Sequence, residues 1–165
     1  MDYAFYLRKF QSAISGIPEE KLKNNGLKLS LDIILESVAL KVYKPEWAGD
    51  FLSSLDAEGR IFFSVWVNDK TIRENKIYYN IHALKLRALK DYKIPARDFA
   101  QIFREEFLKH RKDWPNVSVD YGPLTLMQGW IELNIDDIEK NIHELAQNFF
   151  KISFIIDSIL ERYKK

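Results

Sequence analysis

Leu27-Lys28-Leu29-Ser30-Leu31-Asp32-Ile33-Ile34-Leu35-Glu36-Ser37-Val38-Ala39-Leu40-Lys41-Val42-Tyr43-Lys44 decides the fold class, and it reads two ways. Leu27, Leu29, Leu31, Ile33 and Leu35 alternate with Lys28, Ser30, Asp32 and Ile34, the two-residue period of a strand. After Glu36-Ser37 the phase flips and Val38, Leu40 and Val42 continue it. A bulge or a tight turn does this, because one extra residue exchanges the two faces. A helix through Leu27, Leu31, Ile34, Leu35, Val38 and Val42 competes with that reading. Five alternations in a row are uncommon by chance, so the strand reading is preferred. Pro45 ends the element either way.

Upstream, Tyr3, Tyr6, Leu7, Phe10, Ala13, Ile14 and Ile17 recur at three- and four-residue steps, one face of an amphipathic helix stopped at Gly16 and Pro18. Downstream, Arg60–Asn68 carries apolar groups on both faces through Phe62, Phe63, Val65, Trp66 and Val67, as a central strand does. Ile77–Leu89 alternates through Ile77, Tyr79, Ile81 and Ala83, then flips to Leu84, Leu86 and Ala88. A bulge near Ala83-Leu84 would put Asn80, His82, Lys85 and Arg87 on one polar face. Pro95 opens a helix with Phe99, Ile102, Phe103 and Phe107 inward, since proline suits a first helical turn. Val117, Val119 and Tyr121 then alternate as a strand, with Trp130, Ile131 and Leu133 extending it or starting another.

The last element has the strongest period. Ile138, Ile142, Leu145, Phe149, Ile152, Ile156, Ile159 and Tyr163 step by four and three, and Asp136 with Glu139 has the spacing of a capping box. About 28 residues give a helix about 42 Å long. Phe150, Phe154, Ile155 and Leu160 widen its apolar stripe, which sets core alone against half of a homodimer interface. The expectation is one α+β domain over residues 1–165. It is a two-layer sandwich: a curved, mainly antiparallel sheet with amphipathic helices on one face and a long C-terminal helix.

Composition limits the chemistry. The chain has no cysteine, which excludes a disulfide framework, a thiolate zinc site and a thiol nucleophile. No run approaches the roughly 18 apolar residues of a membrane span, and the N-terminal segment lacks a signal-peptide core. A cytoplasmic location is the expectation, with no membrane partner. The net charge is +1, yet Lys70–Lys112 holds 12 Lys and Arg against 5 Asp and Glu, while Asp113–Lys165 holds 5 against 9. Mutual packing of the two segments explains that asymmetry without a ligand. No GxG pair, P-loop or GxSxG occurs, and His82, His110 and His143 are scattered.

Four groupings remain. Asp56 with Glu74-Asn75-Lys76 has the residue types that hold a catalytic divalent metal, against a solvated turn. Asn80, His82, Lys85 and Arg87 form a donor-rich strip for a carboxylate, a phosphate or a nucleic-acid backbone, against an ordinary solvent face. Phe62 and Trp66 would wall that strip if they share its face. Asp120 would orient His82 as an acid–base couple if their strands pair. The terminal helix is the fourth, as an interface for a second copy. The function expected is a non-catalytic binding module, self-associating, whose basic strand face meets an anionic ligand or partner. A small enzyme acting on nucleic acid or a phosphorylated substrate is the alternative. No metal or cofactor is expected.

Overall fold

The computed structural model describes residues 1–165. Five strands form one antiparallel meander in chain order: β1 (Lys28–Ile34), β2 (Ser37–Tyr43), β3 (Arg60–Val67), β4 (Lys76–Leu84) and β5 (Thr125–Glu132). Around them lie α1 (Tyr3–Ser15), α2 (Glu19–Asn25), α3 (Asp69–Arg73), α4 (Ala96–Phe107) and α5 (Ile138–Arg162). The protein is an α+β fold with helices packed on the sheet and a long final helix of 25 residues.

The deciding stretch is a hairpin. Ile34 pairs with Ser37, so Leu35 and Glu36 alone make the turn, and both have positive φ, 49° and 63°. Positive φ at both central residues is the type I′ pattern, whose twist matches that of the strands it joins. The phase flip is thus a tight turn, and each strand keeps its alternation.

The register sorts the side chains into two faces. Val38, Leu40, Val42, Ile61, Phe63, Val65, Ile77, Tyr79, Ile81 and Met127 face the helices, joined with the buried faces of α1, α4 and α5 in one cluster. Its centre is aromatic: Phe63 stacks on Phe149 at 4.6 Å, with Trp47 and Trp114 edge-on to that pair. Asp157 of α5 accepts hydrogen bonds from Trp47 Nε1 (2.8 Å) and Lys44 Nζ (2.7 Å), tying the helix to the end of β2. Tyr79 lies opposite Gly129 on β5 and donates its hydroxyl to the Pro115 carbonyl at 2.6 Å. A Cβ on Gly129 would stand 2.3 Å from that hydroxyl, so only glycine fits beside the ring.

Several sequence expectations are corrected. β4 ends at Leu84, because Lys85 turns to φ 43° and a 3₁₀ turn follows over Leu86–Ala88. Lys85 and Arg87 therefore leave the sheet face. Val117–Tyr121 is a loop touching β5 through one bridge, Ser118 to Gln128, and β5 is a single strand. The Asp136–Glu139 capping box does not form; Glu139 instead accepts from Ser12 Oγ and Lys9 Nζ of α1. Of the four side chains that widen the α5 stripe, Phe150, Ile155 and Leu160 are buried within the chain and Phe154 is exposed. The wide stripe is core. Phe154 alone of these four is left uncovered, so the breadth of the stripe does not by itself call for a second copy.

Candidate functional site

The face of the sheet turned away from the helices is built in rows. Ala39, Trp66, Tyr78 and Trp130 run side by side across β2 to β5, and Lys41, Ser64, Asn80 and Gln128 form the next row. Phe62 and His82 form a third pair, and Arg60 faces Leu84 at the end. Small Ala39 and Ser64 between large neighbours leave a depression of about 310 Å³, walled by Ile34, Leu35, Trp66, Phe62, Lys41, Arg60 and His82.

The floor is an oriented hydrogen-bond chain. Ser64 Oγ donates to Asn80 Oδ1 at 2.7 Å, which fixes the amide so that its nitrogen faces Gln128 Oε1 (3.3 Å) and His82 Nε2 (2.9 Å). His82 Nε2 is then the acceptor and the ring proton sits on Nδ1, opposite the Leu124 carbonyl at 3.4 Å and Thr125 Oγ1 at 3.5 Å. Ser64 and Asn80 are buried, so the chain meets the requirement that buried polar groups be paired. Burial lowers the His82 pKa, and Lys41 and Arg60 lower it further against the opposing pull of the Leu124 carbonyl. A β-bulge brings that carbonyl into place, since the β4–β5 register shifts between Ile81 and His82. Arg104 of α4 then holds the incoming loop by donating to the carbonyls of Tyr121, Gly122, Thr125 and Leu126.

The rim is cationic. Lys41 Nζ lies 4.6 Å from the centre of the Phe62 ring and the Arg60 guanidinium 5.6 Å from it. Neither cation has a carboxylate within ion-pair distance; the chain's ion pairs are made by other residues. Arg60 donates to the Ala57 carbonyl at 2.6 Å, and its Nε is buried with no partner. Burial holds the Lys41 pKa down and the Arg60 charge adds to this, while Asp56 and Asp32 pull the other way. Two other depressions, of about 340 and 350 Å³, present different chemistry. In the first, Lys90 is outnumbered by Glu46, Asp50 and Asp91; in the second, Arg104 is spent on backbone carbonyls and Arg97 shares the lining with Glu105.

Of the residues singled out in the sequence, Asn80 and His82 share this site with Phe62 and Trp66. Lys85 does not; it pairs with Glu58 at 2.9 Å in solvent, and Arg87 is exposed beyond it. Asp120 is also elsewhere: it is exposed, its backbone N–H meets Ser118 Oγ, and its charge acts on Arg104. The imidazole partner it was to supply is the Leu124 carbonyl instead. Glu74 accepts from the Tyr78 hydroxyl, Lys76 stacks over Trp130 at 4.3 Å, and Asp56 lies on the Lys41 side, so these three do not converge. No group of three His, Asp or Glu side chains comes together with metal-binding geometry. No helix is long and apolar enough to cross a membrane.

Sequence reading missed Lys41 and Arg60. The signal was present as alternation: Arg60, Phe62, Ser64 and Trp66 share one strand face, and Lys41 lies beside them once β2 pairs with β3. No family model, curated protein or solved structure matches the chain at a significant level.

Proposed function

We propose that the chain is a non-catalytic binding module whose open sheet face holds an anionic ligand between Lys41 and Arg60. The observation that carries this reading is the pair of cations over one Phe62 ring, neither of them engaged in an ion pair. Two like charges held together repel, and an anion between them relieves that repulsion while accepting charge-assisted hydrogen bonds from both.

The histidine favours binding over catalysis. A general acid or base needs a nitrogen free to meet substrate and a pKa near working pH. Both His82 nitrogens face internal partners, and its protonated form is disfavoured by burial. Its part is to hold the floor.

Thermal melting in graded sodium phosphate, with sodium chloride at matched ionic strength, tests the reading. A ligand that binds the folded state alone raises the melting temperature. Phosphate is expected to raise it for the wild type, for Lys85→Ala and for Arg87→Ala, and not for Lys41→Met or Arg60→Leu. Equal phosphate stabilisation of all five proteins, or of none, contradicts the proposal.

A further inference from the structure

The lining of the depression names its ligand more closely, and the argument rests on the anion reading above. Trp66 stacks on Tyr78, ring centres 5.6 Å apart and planes 29° from parallel. Tyr78 is its neighbour on β4; its neighbour on β2 is Ala39, whose methyl group cannot cover the other face of the indole. That face therefore looks over Ala39, in the same depression as Ile34, Leu35 and Ser64. Phe62, with its two cations, lies four residues away on the same strand, about 13 Å along β3. The depression is thus amphipathic, with an apolar slot at one end and two cations outside any ion pair at the other.

We infer that the ligand is a single mononucleotide, its base on the free face of Trp66 and its phosphate at Lys41 and Arg60. A planar ring gains stacking energy there, and the phosphate is the doubly acceptor-rich anion that two neighbouring cations suit. The surrounding charges favour one nucleotide over a strand. Asp32 follows Ala39 in its row, Glu74 and Glu132 lie beyond Tyr78 and Trp130, and Asp56 and Glu58 stand at the Arg60 end. A polyphosphate backbone leaving the depression would run into carboxylates. The volume, about 310 Å³, is at the small end of ligand pockets.

Calorimetric titration of the full chain with AMP, GMP, CMP and UMP, with ribose 5-phosphate and with a six-nucleotide single strand tests the inference. At least one mononucleotide is expected to bind about fivefold or more tightly than ribose 5-phosphate, the margin one stacked base supplies. Trp66→Ala should erase that margin while leaving ribose 5-phosphate affinity unchanged. Ala39→Leu, which fills the slot without touching Trp66, should do the same, and melting curves verify that both variants fold. Equal affinity of mononucleotides and ribose 5-phosphate, both still weakened by Lys41→Met, overturns the nucleotide assignment and leaves the anion reading standing. Phosphates indifferent to Lys41→Met and Arg60→Leu overturn both. A hexanucleotide binding more than about sixfold better than its best single nucleotide, beyond the statistical gain of linked units, overturns the commitment to one nucleotide.

Discussion

Asn80 donates its side-chain amide to Nε2 of His82 at 2.9 Å, and that one bond sets the tautomer of a histidine two residues along the same strand. The amide faces that way because Ser64 holds its oxygen. Both ring nitrogens thus face partners within the fold, Nε2 the Asn80 amide and Nδ1 the Leu124 carbonyl.

Stability should therefore depend on His82 in a definite direction. Desolvation depresses its folded-state pKa below the unfolded value of about 6.5, so the unfolded chain binds the proton first. The stabilisation is fully present above about pH 7.5 and is lost as pH falls through 6.5 toward the folded pKa. Melting temperature measured from about pH 5 to 8 should fall on the acid side for the wild type and less steeply for His82→Gln. Identical slopes would show that the buried imidazole is not the group responsible. The ¹⁵N shifts of the ring should report Nε2 unprotonated at neutral pH.

The β1–β2 turn should be improvable. Leu35 and Glu36 both occupy positive φ, which costs an L-residue with a bulky side chain energy that Asn and Gly avoid. The double substitution Leu35→Asn, Glu36→Gly is expected to raise unfolding free energy by about 1 kcal/mol or more. A chemical-denaturation midpoint unmoved or lowered would mean that the turn is held by something other than its own backbone preference.

Gly129→Ala should destabilise by about 1–3 kcal/mol, the range for overpacking a filled core. Its new methyl group would overlap the Tyr79 hydroxyl, which is fixed on the Pro115 carbonyl. Adding Tyr79→Leu should make the pair of changes cost less than their sum in a double-mutant cycle read by denaturation. Strict additivity would place the strain elsewhere.

Arg104→Met keeps the stem and removes every donor. Four carbonyls between residues 121 and 126, in the loop and the start of β5, lose their partner, and a loss of about 2 kcal/mol is expected. The informative readout is hydrogen exchange at the Ala83 amide, whose acceptor is the Leu124 carbonyl at 2.9 Å. Faster exchange there, ahead of β3 amides, identifies Arg104 as the residue positioning the bulge beside His82; unchanged protection denies it that part.

What the sequence showed and what it hid follow from the range of each interaction. The alternation over Leu27–Lys44 and the four-three steps of α5 are local, and both elements form where expected. Alternation alone could not separate a turn from a bulge at Glu36-Ser37; the pairing of Ile34 with Ser37 decides it. Lys85 and Arg87 continue the apolar–polar alternation in the sequence, yet one left-handed residue at Lys85 ends the strand before either reaches the face. Lys41 and Arg60 are 19 positions apart in the chain, single cations on separate strands, and only strand pairing brings them over the same ring. The breadth of the α5 stripe was legible, but not that the rest of the chain covers Phe150, Ile155 and Leu160 and leaves Phe154 exposed.

The central claim is that an anion sits on the open sheet face at Lys41 and Arg60. Amide and side-chain chemical shifts followed during a phosphate titration test it most directly, because they locate the ligand without relying on any variant. The account predicts saturable shifts confined to Lys41, Arg60, Phe62, Ser64 and the His82 ring, with Lys85, Arg87 and α5 unmoved. Shifts centred on Lys85 and Arg87, or none that saturate, would contradict it.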